Sequence, residues 1–291
     1  MPAWLGDPTA IPLLAAFLIE AALYLGTGFP ALREKLARLR RPVLALGMTA
    51  SAAVSYVAYA VPTGVFDWRS MAVLLWLASA LSCWYLVLPR RAAADLLFVM
   101  FVAGVILSKV FGRVYAGPAV VLGQLMWIRL GVVAALVFRK AEGTGFGFLP
   151  SRREWAIGIR HFLYFAPVGV GLSLVTGFAR FEPRLNAPWL AVGTFFGMLW
   201  VVALSEEFFF RGLLQRWLGE WLRSERGGLV LASVLFGLAH LPFRSFPNWR
   251  FALLATVAGL FYGRAYLKAG GIRAAMVAHA LVNTVWRVLF V

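Results

Sequence analysis

The chain has 291 residues, of which 62% are hydrophobic and 14% are charged. This composition excludes an ordinary soluble protein and indicates many membrane-spanning segments. The net charge of +16 does not indicate nucleic-acid binding, because the Lys and Arg residues cluster in short loops between apolar runs.

Ten apolar runs are long enough, or nearly so, to cross a bilayer core, which requires about 20 helical residues. They lie at about 11–29, 43–62, 70–88, 93–111, 119–138, 157–178, 189–211, 228–241, 250–267 and 272–291. We therefore predict an all-α, polytopic integral membrane helical bundle of about ten transmembrane helices. The charged, glycine-containing segment 142–160 separates two halves, so we place an N-terminal membrane region of unknown role at 1–150 and a catalytic membrane domain at 151–291.

The distribution of basic residues predicts the orientation. Loops after runs one, three, five, seven and nine hold 18 Lys and Arg residues, whereas the alternate loops hold seven. The richer side is expected to be cytoplasmic, with both termini outside. The expected location is a bacterial inner (plasma) membrane, with membrane lipid around the helices.

The N-terminal half carries little chemistry. Glu20 and Arg129 fall within apolar runs and are expected to form a polar contact between helices. The single cysteine, Cys83, excludes an intramolecular disulfide.

The most informative stretch is Ser205–Arg211, in the seventh run. Ionisable side chains at membrane depth are costly and therefore point to a functional site. Glu207 and Arg211 are four residues apart and share a helix face, which predicts an ion pair. Glu206 is turned about 100° away and is left as the free carboxylate. A purely structural charge cluster is the alternative.

Two histidine motifs follow in later apolar runs. Phe236 precedes His240 by four residues, and His279 precedes Asn283 by four, so each pair shares one helix face. Prolines at 242 and 247 break the helix after His240, and irregular backbone at membrane depth is tolerated where it lines a cavity. We therefore predict a polar cavity that opens toward the cytoplasm, with His240 at its floor.

These side chains suit hydrolysis of a peptide bond. Glu206 and His240 are candidates to take a proton from water, and His279 and Asn283 are candidates to stabilise the resulting oxyanion. A zinc ion held by Glu206, His240 and His279 is the alternative. The His-Glu-x-x-His spacing is absent from the sequence, so hydrolysis without a cofactor is favoured.

The three motifs, in this order, resemble the CPBP family of intramembrane glutamic endopeptidases, the CAAX-protease and bacteriocin-processing proteins of the Abi and Rce1 type. The resemblance covers about residues 188–291. It implies that Glu206 and His240 position and activate water and that His279 and Asn283 form the oxyanion site. It further implies support from Glu207 and Arg211, and Phe236 belongs to the same motif set.

The resemblance also implies the partner, a membrane-anchored protein or peptide substrate. Bacterial members need not act on prenylated CAAX tails, and some are linked to bacteriocin maturation, self-immunity or sorting signals. Two alternatives stay open from the residues. One is a proton-coupled transporter, which the broken helix favours but the lack of sequence symmetry does not. The other is a non-catalytic immunity or peptide-binding membrane protein.

Overall fold

The computed structural model describes residues 8–183 and 188–290, and the regular elements within them are all helices. One isolated β-bridge joins Phe181 and Phe290, and no strand is present in the described residues. The predicted all-α fold class is confirmed. The chain forms two compact units, Met1–Ala141 and Glu142–Val291. The domain boundary placed between residues 150 and 151 stays a prediction.

The N-terminal unit contains seven helices among the described residues. They are α1 (Ala10–Gly26), α2 (Pro30–Arg38), α3 (Arg41–Ala60), α4 (Trp68–Val87), α5 (Ala92–Leu107), α6 (Phe111–Val114) and α7 (Val120–Val133), the last continuing with π-helical winding over Ala134–Phe138. Arg129 of α7 forms a buried ion pair with Glu20 of α1. The pair expected from the sequence is present.

The C-terminal unit contains five helices in its described part. The first, α8, is Arg152–Val175. The second, α9, changes its winding along its length and is made of Pro188–Gly197, Met198–Ala203, Leu204–Glu207, Phe208–Gln215 and Arg216–Trp221. The last three are α10 (Glu225–Leu238), α11 (Trp249–Ala269) and α12 (Ile272–Leu289).

Local sequence sets where these helices begin and end. Ser151 and Glu154 form a reciprocal capping box at the start of α8, which satisfies backbone N–H groups that lack helical partners. Asn248 caps α11 by accepting a hydrogen bond of 3.1 Å from the N–H of Phe251. Gly270 ends α11 with a left-handed φ of 77°, a conformation that costs glycine little.

The number of membrane spans is compared with the sequence-based count by helix length and composition. In the described residues, five helices are long and apolar enough to cross a membrane, or up to six if α1 and α2, bent by 84°, form one span. The expected count of about ten is therefore not confirmed. Helix α10 has 14 residues, and α11 carries Arg250, Arg264 and Lys268. Helices that are partly enclosed by others do not need a uniformly apolar surface.

The seventh apolar run was predicted to end at Arg211, and that end is wrong. The helical stretch continues to Trp221 and spans 31 residues from Ala191. Arg211 is fully buried, at 0% exposure. A buried arginine with an ion-pair partner in the preceding turn can remain inside a helix, so its charge does not mark a helix end.

Helices α10 and α11 approach closely because glycine lies between them. A Cβ atom at Gly237 would lie 1.9 Å from Oγ1 of Thr256 and 2.4 Å from the carbonyl oxygen of Ala252. Any larger residue at Gly237 would separate the helices. Close packing at this point fixes the position of Phe236 and the segment that follows.

Candidate active site

The two glutamates lie on a short turn of ordinary winding inside α9. Leu204–Glu207 is α-helical, whereas the flanking segments Met198–Ala203 and Phe208–Gln215 are π-helical. Single π-helical turns within α-helices occur frequently at functional sites. The winding therefore marks the turn with Glu206 and Glu207 as a candidate site.

The adjacent carboxylates have different surroundings. The side chain of Glu207 is 0% exposed, whereas that of Glu206 is 31% exposed and lines a cavity. Successive helical residues are rotated by about 100°, so the two side chains leave α9 in different directions. One carboxylate is shielded, and the other is accessible to a ligand.

Glu207 connects α9 to α12 through its two carboxylate oxygens. Its Oε2 lies 3.2 Å from Nε of Arg211, which is within ion-pair distance. The two atoms do not have the geometry of a hydrogen bond. Its Oε1 accepts a hydrogen bond of 2.8 Å from Nδ1 of His279. Glu207 therefore neutralises Arg211 and also fixes the orientation of the His279 ring.

The guanidinium of Arg211 is enclosed by aromatic rings and backbone. Its Cζ lies 4.4 Å from the centre of the Phe236 ring and 5.7 Å from that of Tyr262. Its NH2 group donates a hydrogen bond of 3.3 Å to the carbonyl of Gly259. Aromatic faces attract cations, most strongly away from water. Three helices, α9, α10 and α11, thus meet around one cation.

His279 faces both glutamates. While its Nδ1 donates to Glu207, its Nε2 lies 3.8 Å from Oε2 of Glu206. The imidazole stacks on the ring of Tyr262, with 4.6 Å between centroids and 13° between planes. This stacking and the hydrogen bond to Glu207 leave Nε2 as the nitrogen directed to the accessible carboxylate.

Asn283 lies one turn beyond His279 on α12. Its Nδ2 is 3.9 Å from Sδ of Met198, and a thioether is a weak acceptor. The amide lines the same cavity as His279. Its N–H groups therefore remain available for a stronger acceptor.

His240 follows the last turn of α10. Its Nδ1 lies 2.7 Å from the carbonyl oxygen of Phe236. Because a carbonyl oxygen can only accept a hydrogen bond, Nδ1 carries the proton, and the neutral ring has its lone pair on Nε2. The rings of Phe236 and Phe251 pack at 4.7 Å from the imidazole. The side chain is held in one orientation, with a proton acceptor at Nε2.

A cavity of about 530 Å³ brings these groups together. Glu206, His240, His279 and Asn283 all line it, and so does Phe236, whereas Glu207 and Arg211 lie behind the lining. Most of the remaining wall is apolar and includes Phe165, Phe178, Phe251, Leu254 and Trp286. A mostly apolar wall with a few convergent polar groups is typical of ligand-binding sites.

Glu206 and His240 are not in direct contact. Among the described residues, the imidazole nitrogen within 4 Å of the Glu206 carboxylate belongs to His279 and not to His240. Oε2 of Glu206 is buried and has no hydrogen-bond partner in the described part of the chain. The structure thus places the two predicted water-activating residues on one cavity wall without joining them.

Sequence reasoning missed Tyr262, which contacts both His279 and Arg211. No motif marks this tyrosine. The spacing of Gly259, Tyr262 and Gly263 along one side of α11 was a usable signal, since small residues allow a neighbouring helix to approach closely. That face does pack against the helix with the glutamates, where a Cβ at Gly259 would lie 3.2 Å from the Arg211 guanidinium.

The position of His240 in the cavity differs from the sequence-based expectation. On α12 its lining begins at His279 and continues to Arg287, and exposed Phe243 and Arg244 in the loop after α10 also belong to it. His240 therefore lies toward this open side and not at the floor. The opening toward the cytoplasm stays a prediction, and it was argued in part from ending α9 at Arg211, which placed Glu206 about one turn from an arginine-rich loop. The continuation of α9 to Trp221 removes that argument.

The zinc alternative requires three ligands that converge on one point. The described residues contain no group of three or more His, Cys, Asp and Glu side chains arranged to hold a metal ion. No catalytic step is therefore assigned to a metal, and the zinc alternative with Glu206, His240 and His279 stays a prediction.

Comparison with known proteins identifies a family over part of the chain. Residues 188–285 match the family model described as type II CAAX prenyl endopeptidase Rce1-like. No curated protein and no solved structure matches the chain. The matched segment contains every site residue named from the sequence, and the resemblance to the CPBP, Rce1-type family is confirmed for it.

Proposed function

We propose that this Rce1-like integral membrane protein is an endopeptidase that hydrolyses a peptide bond in a membrane-associated protein or peptide. The observation that carries the proposal is the convergence of Glu206, His240, His279 and Asn283 on one cavity. A carboxylate, two imidazoles and an amide supply both the proton acceptors and the oxyanion donors that hydrolysis without a cofactor needs.

Glu206 and His240 are proposed to share one water molecule. Glu206 offers an accessible carboxylate and His240 an unprotonated Nε2, and both line one cavity of about 530 Å³ that can hold water. A proton passes from the water to Glu206 as the water oxygen bonds to the peptide carbonyl carbon. The proton then passes to the leaving nitrogen as the C–N bond breaks, so that no covalent enzyme intermediate forms.

His279 and Asn283 are proposed to stabilise the oxyanion of the tetrahedral intermediate. Because Nδ1 of His279 already donates to Glu207, donation from Nε2 requires a doubly protonated ring. That positive charge together with Arg211 balances the two carboxylates, Glu206 and Glu207. A cluster without net charge is less costly away from water than one that carries a net negative charge.

The apolar wall suits residues next to a membrane anchor. Peptide segments near an anchor are rich in apolar side chains, and a cavity of about 530 Å³ has room for a few of them. We propose that such a segment enters from the surrounding lipid or its surface, in a bacterial plasma membrane. Two substrate classes are distinguished by their anchor, which is either a prenyl group or a transmembrane helix. Both classes are tested below.

The test uses the full chain purified and placed in liposomes. Two fluorogenic peptides serve as probes, one with a prenylated cysteine near its C-terminus and one with an unmodified apolar anchor. Wild type is expected to cleave one of them, and Glu206→Gln and His240→Ala are expected to lower kcat by about 10²- to 10⁴-fold, the usual contribution of general acid–base groups. A strong chelator is expected to leave wild-type cleavage unchanged.

His161→Ala is the matched control. Nδ1 of His161 makes the same contact as His240, 2.8 Å from the carbonyl oxygen four residues earlier, but His161 is not part of the cavity lining. It is expected to retain cleavage. Undiminished cleavage by both Glu206→Gln and His240→Ala would contradict the assigned roles. Binding of a peptide by wild type without cleavage would favour the non-catalytic alternative, and proton movement coupled to solute uptake would favour the transporter.

A further inference from the structure

The helices of the C-terminal unit have two distinct ends. At the first, here called the basic end, Ile272 donates a backbone hydrogen bond of 3.0 Å to Thr144, and Arg273 pairs with Glu154 at 2.8 Å. Arg153 also reaches the carbonyl of Lys268. The starts of α8 and α12 and the end of α11 therefore meet here.

At the second end, here called the cavity end, other segments meet. The rings of Phe178 and Phe251 stack at 5.1 Å, and Phe178 also contacts Trp286 at 5.5 Å. The Arg250 guanidinium reaches the carbonyl of Gly177 at 3.5 Å. The end of α8, the start of α11 and the end of α12 therefore lie together, opposite the basic end.

The cavity occupies the half of the unit next to the cavity end. On α11 its lining runs from Phe251 to Tyr262 and does not reach the last turns of that helix. On α12 it begins at His279 and omits the first two turns. Residues 272–280 of α12 are mostly buried in the protein. The cavity is thus closed toward the basic end and bordered by the exposed loop after α10 at the other.

The distribution of Lys and Arg indicates which end of the C-terminal unit faces the cytoplasm. In the described part of this unit, the basic end carries Arg152, Arg153, Arg216, Arg223, Arg226, Arg264, Lys268 and Arg273, against Arg180, Arg244, Arg250 and Arg287 at the cavity end. Short loops rich in Lys and Arg face the cytoplasm.

We propose that the active-site cavity opens to the extracytoplasmic side of the membrane. Its substrates are then membrane-anchored peptides whose cleavable segment is exposed on that side, and not tails presented in the cytoplasm. This inference rests on the proposed function for the act of cleavage, but the side of the opening follows from the cavity and the charges alone.

Cysteine labelling tests the side directly. In a Cys83→Ser background, which removes the native cysteine, Ser245→Cys reports the cavity end and Ser224→Cys the basic end. Both serines are exposed, and neither substitution alters the charges that set orientation. A membrane-impermeant maleimide is expected to label Ser245→Cys in intact cells, and Ser224→Cys only after the membrane is permeabilised. The Cys83→Ser chain without a new cysteine is the control for background labelling.

The opposite pattern, with Ser224→Cys labelled in intact cells and Ser245→Cys protected, would overturn the proposal. A second arm supplies an impermeant anchored peptide to right-side-out and inside-out vesicles. Cleavage is expected in the right-side-out vesicles, and cleavage confined to the inside-out vesicles would also overturn it. If the labelling is as expected but Glu206→Gln cleaves as well as wild type, the catalytic role proposed for Glu206 is contradicted. The proposal that the cavity opens to the extracytoplasmic side is then still supported by the labelling.

Discussion

Glu207 has the most demanding position of the site residues, because one fully buried carboxylate contacts both the Arg211 guanidinium and the His279 imidazole. It lies 3.2 Å from Arg211 on its own helix and accepts a hydrogen bond of 2.8 Å from His279 on α12. An ionised carboxylate of this kind is stable away from water only with such partners. Glu207 makes the contacts that hold α9 to α12, and its neighbour Glu206 remains accessible in the cavity.

Glu207→Gln is expected to destabilise the protein strongly. Breaking a buried pair leaves Arg211 as an uncompensated charge, which typically costs about 3–5 kcal/mol. Thermal unfolding in detergent, followed by circular dichroism, measures the change. We also expect cleavage to fall, because the neutral amide oxygen of Gln is a weaker acceptor for Nδ1–H of His279 than the carboxylate and no longer balances a charge on that ring.

Glu220→Gln is the matched control for that substitution. Glu220 pairs with Arg216 over the same four-residue spacing at 2.9 Å, but its side chain is 54% exposed. Exposed pairs contribute about 0–1 kcal/mol, so its melting temperature should barely move. Equal shifts for the two variants would refute the argument that burial makes the Glu207 pair important.

At this scale the sequence predicted the local geometry but not the contact across helices. The four-residue spacing of Glu207 and Arg211 predicts their ion pair, which the structure contains. The hydrogen bond from His279 joins residues 72 positions apart. Helical periodicity gives no information about which faces of distant helices meet, so that bond could not be predicted from spacing.

At the scale of elements, α9 departs furthest from expectation. Apolar runs predict helices well because a membrane helix must satisfy its backbone hydrogen bonds internally. They do not reveal that Arg211 is buried among rings, which depends on α10 and α11. Nor do they reveal π-helical winding, which adjusts the helix to its neighbours and leaves no compositional signature.

Gly237→Ala is expected to disturb the site through the packing of α10 on α11. The new Cβ would lie 2.4 Å from the Ala252 carbonyl oxygen, so backbone must move, and such overpacking typically costs about 1–3 kcal/mol. The shift would carry Phe236 and His240 with it. We expect a lower melting temperature and a larger loss of kcat than of binding.

Gly197→Ala provides the comparison, since a Cβ at this exposed helical glycine meets nothing within 4 Å. Alanine is favoured over glycine in helices by about 1 kcal/mol. Its melting temperature should stay the same or rise. A fall as large as that of Gly237→Ala would show that general helix effects, and not close packing, explain the result.

For the whole molecule, the site belongs to one unit. All residues that line the cavity lie within Glu142–Val291. The sequence predicted a membrane protein and an informative C-terminal half from composition and motifs. Its count of about ten spans is not confirmed in the described residues, because the C-terminal unit includes short and charged helices that do not meet the length and composition of a full span.

The residues 142–291, expressed alone, are therefore expected to form the site and to cleave the same peptide as the full chain. Activity that is abolished by Glu206→Gln in the shortened protein would show that the site is intact. A shortened protein that is folded by circular dichroism but inactive would contradict this expectation, and would assign the N-terminal unit a part in substrate entry.

The π-helical segments of α9 also have a consequence for comparing sequences. A π-helical turn places its hydrogen bonds five residues apart where an α-helix uses four, so each segment holds about one residue more than a uniform α-helix over the same length. A relative whose helix is α-helical throughout would lack those residues. An alignment that forbids gaps inside helices would then be offset by about one residue on one side of Glu206 and Glu207. It would pair the two glutamates with the wrong positions of the relative.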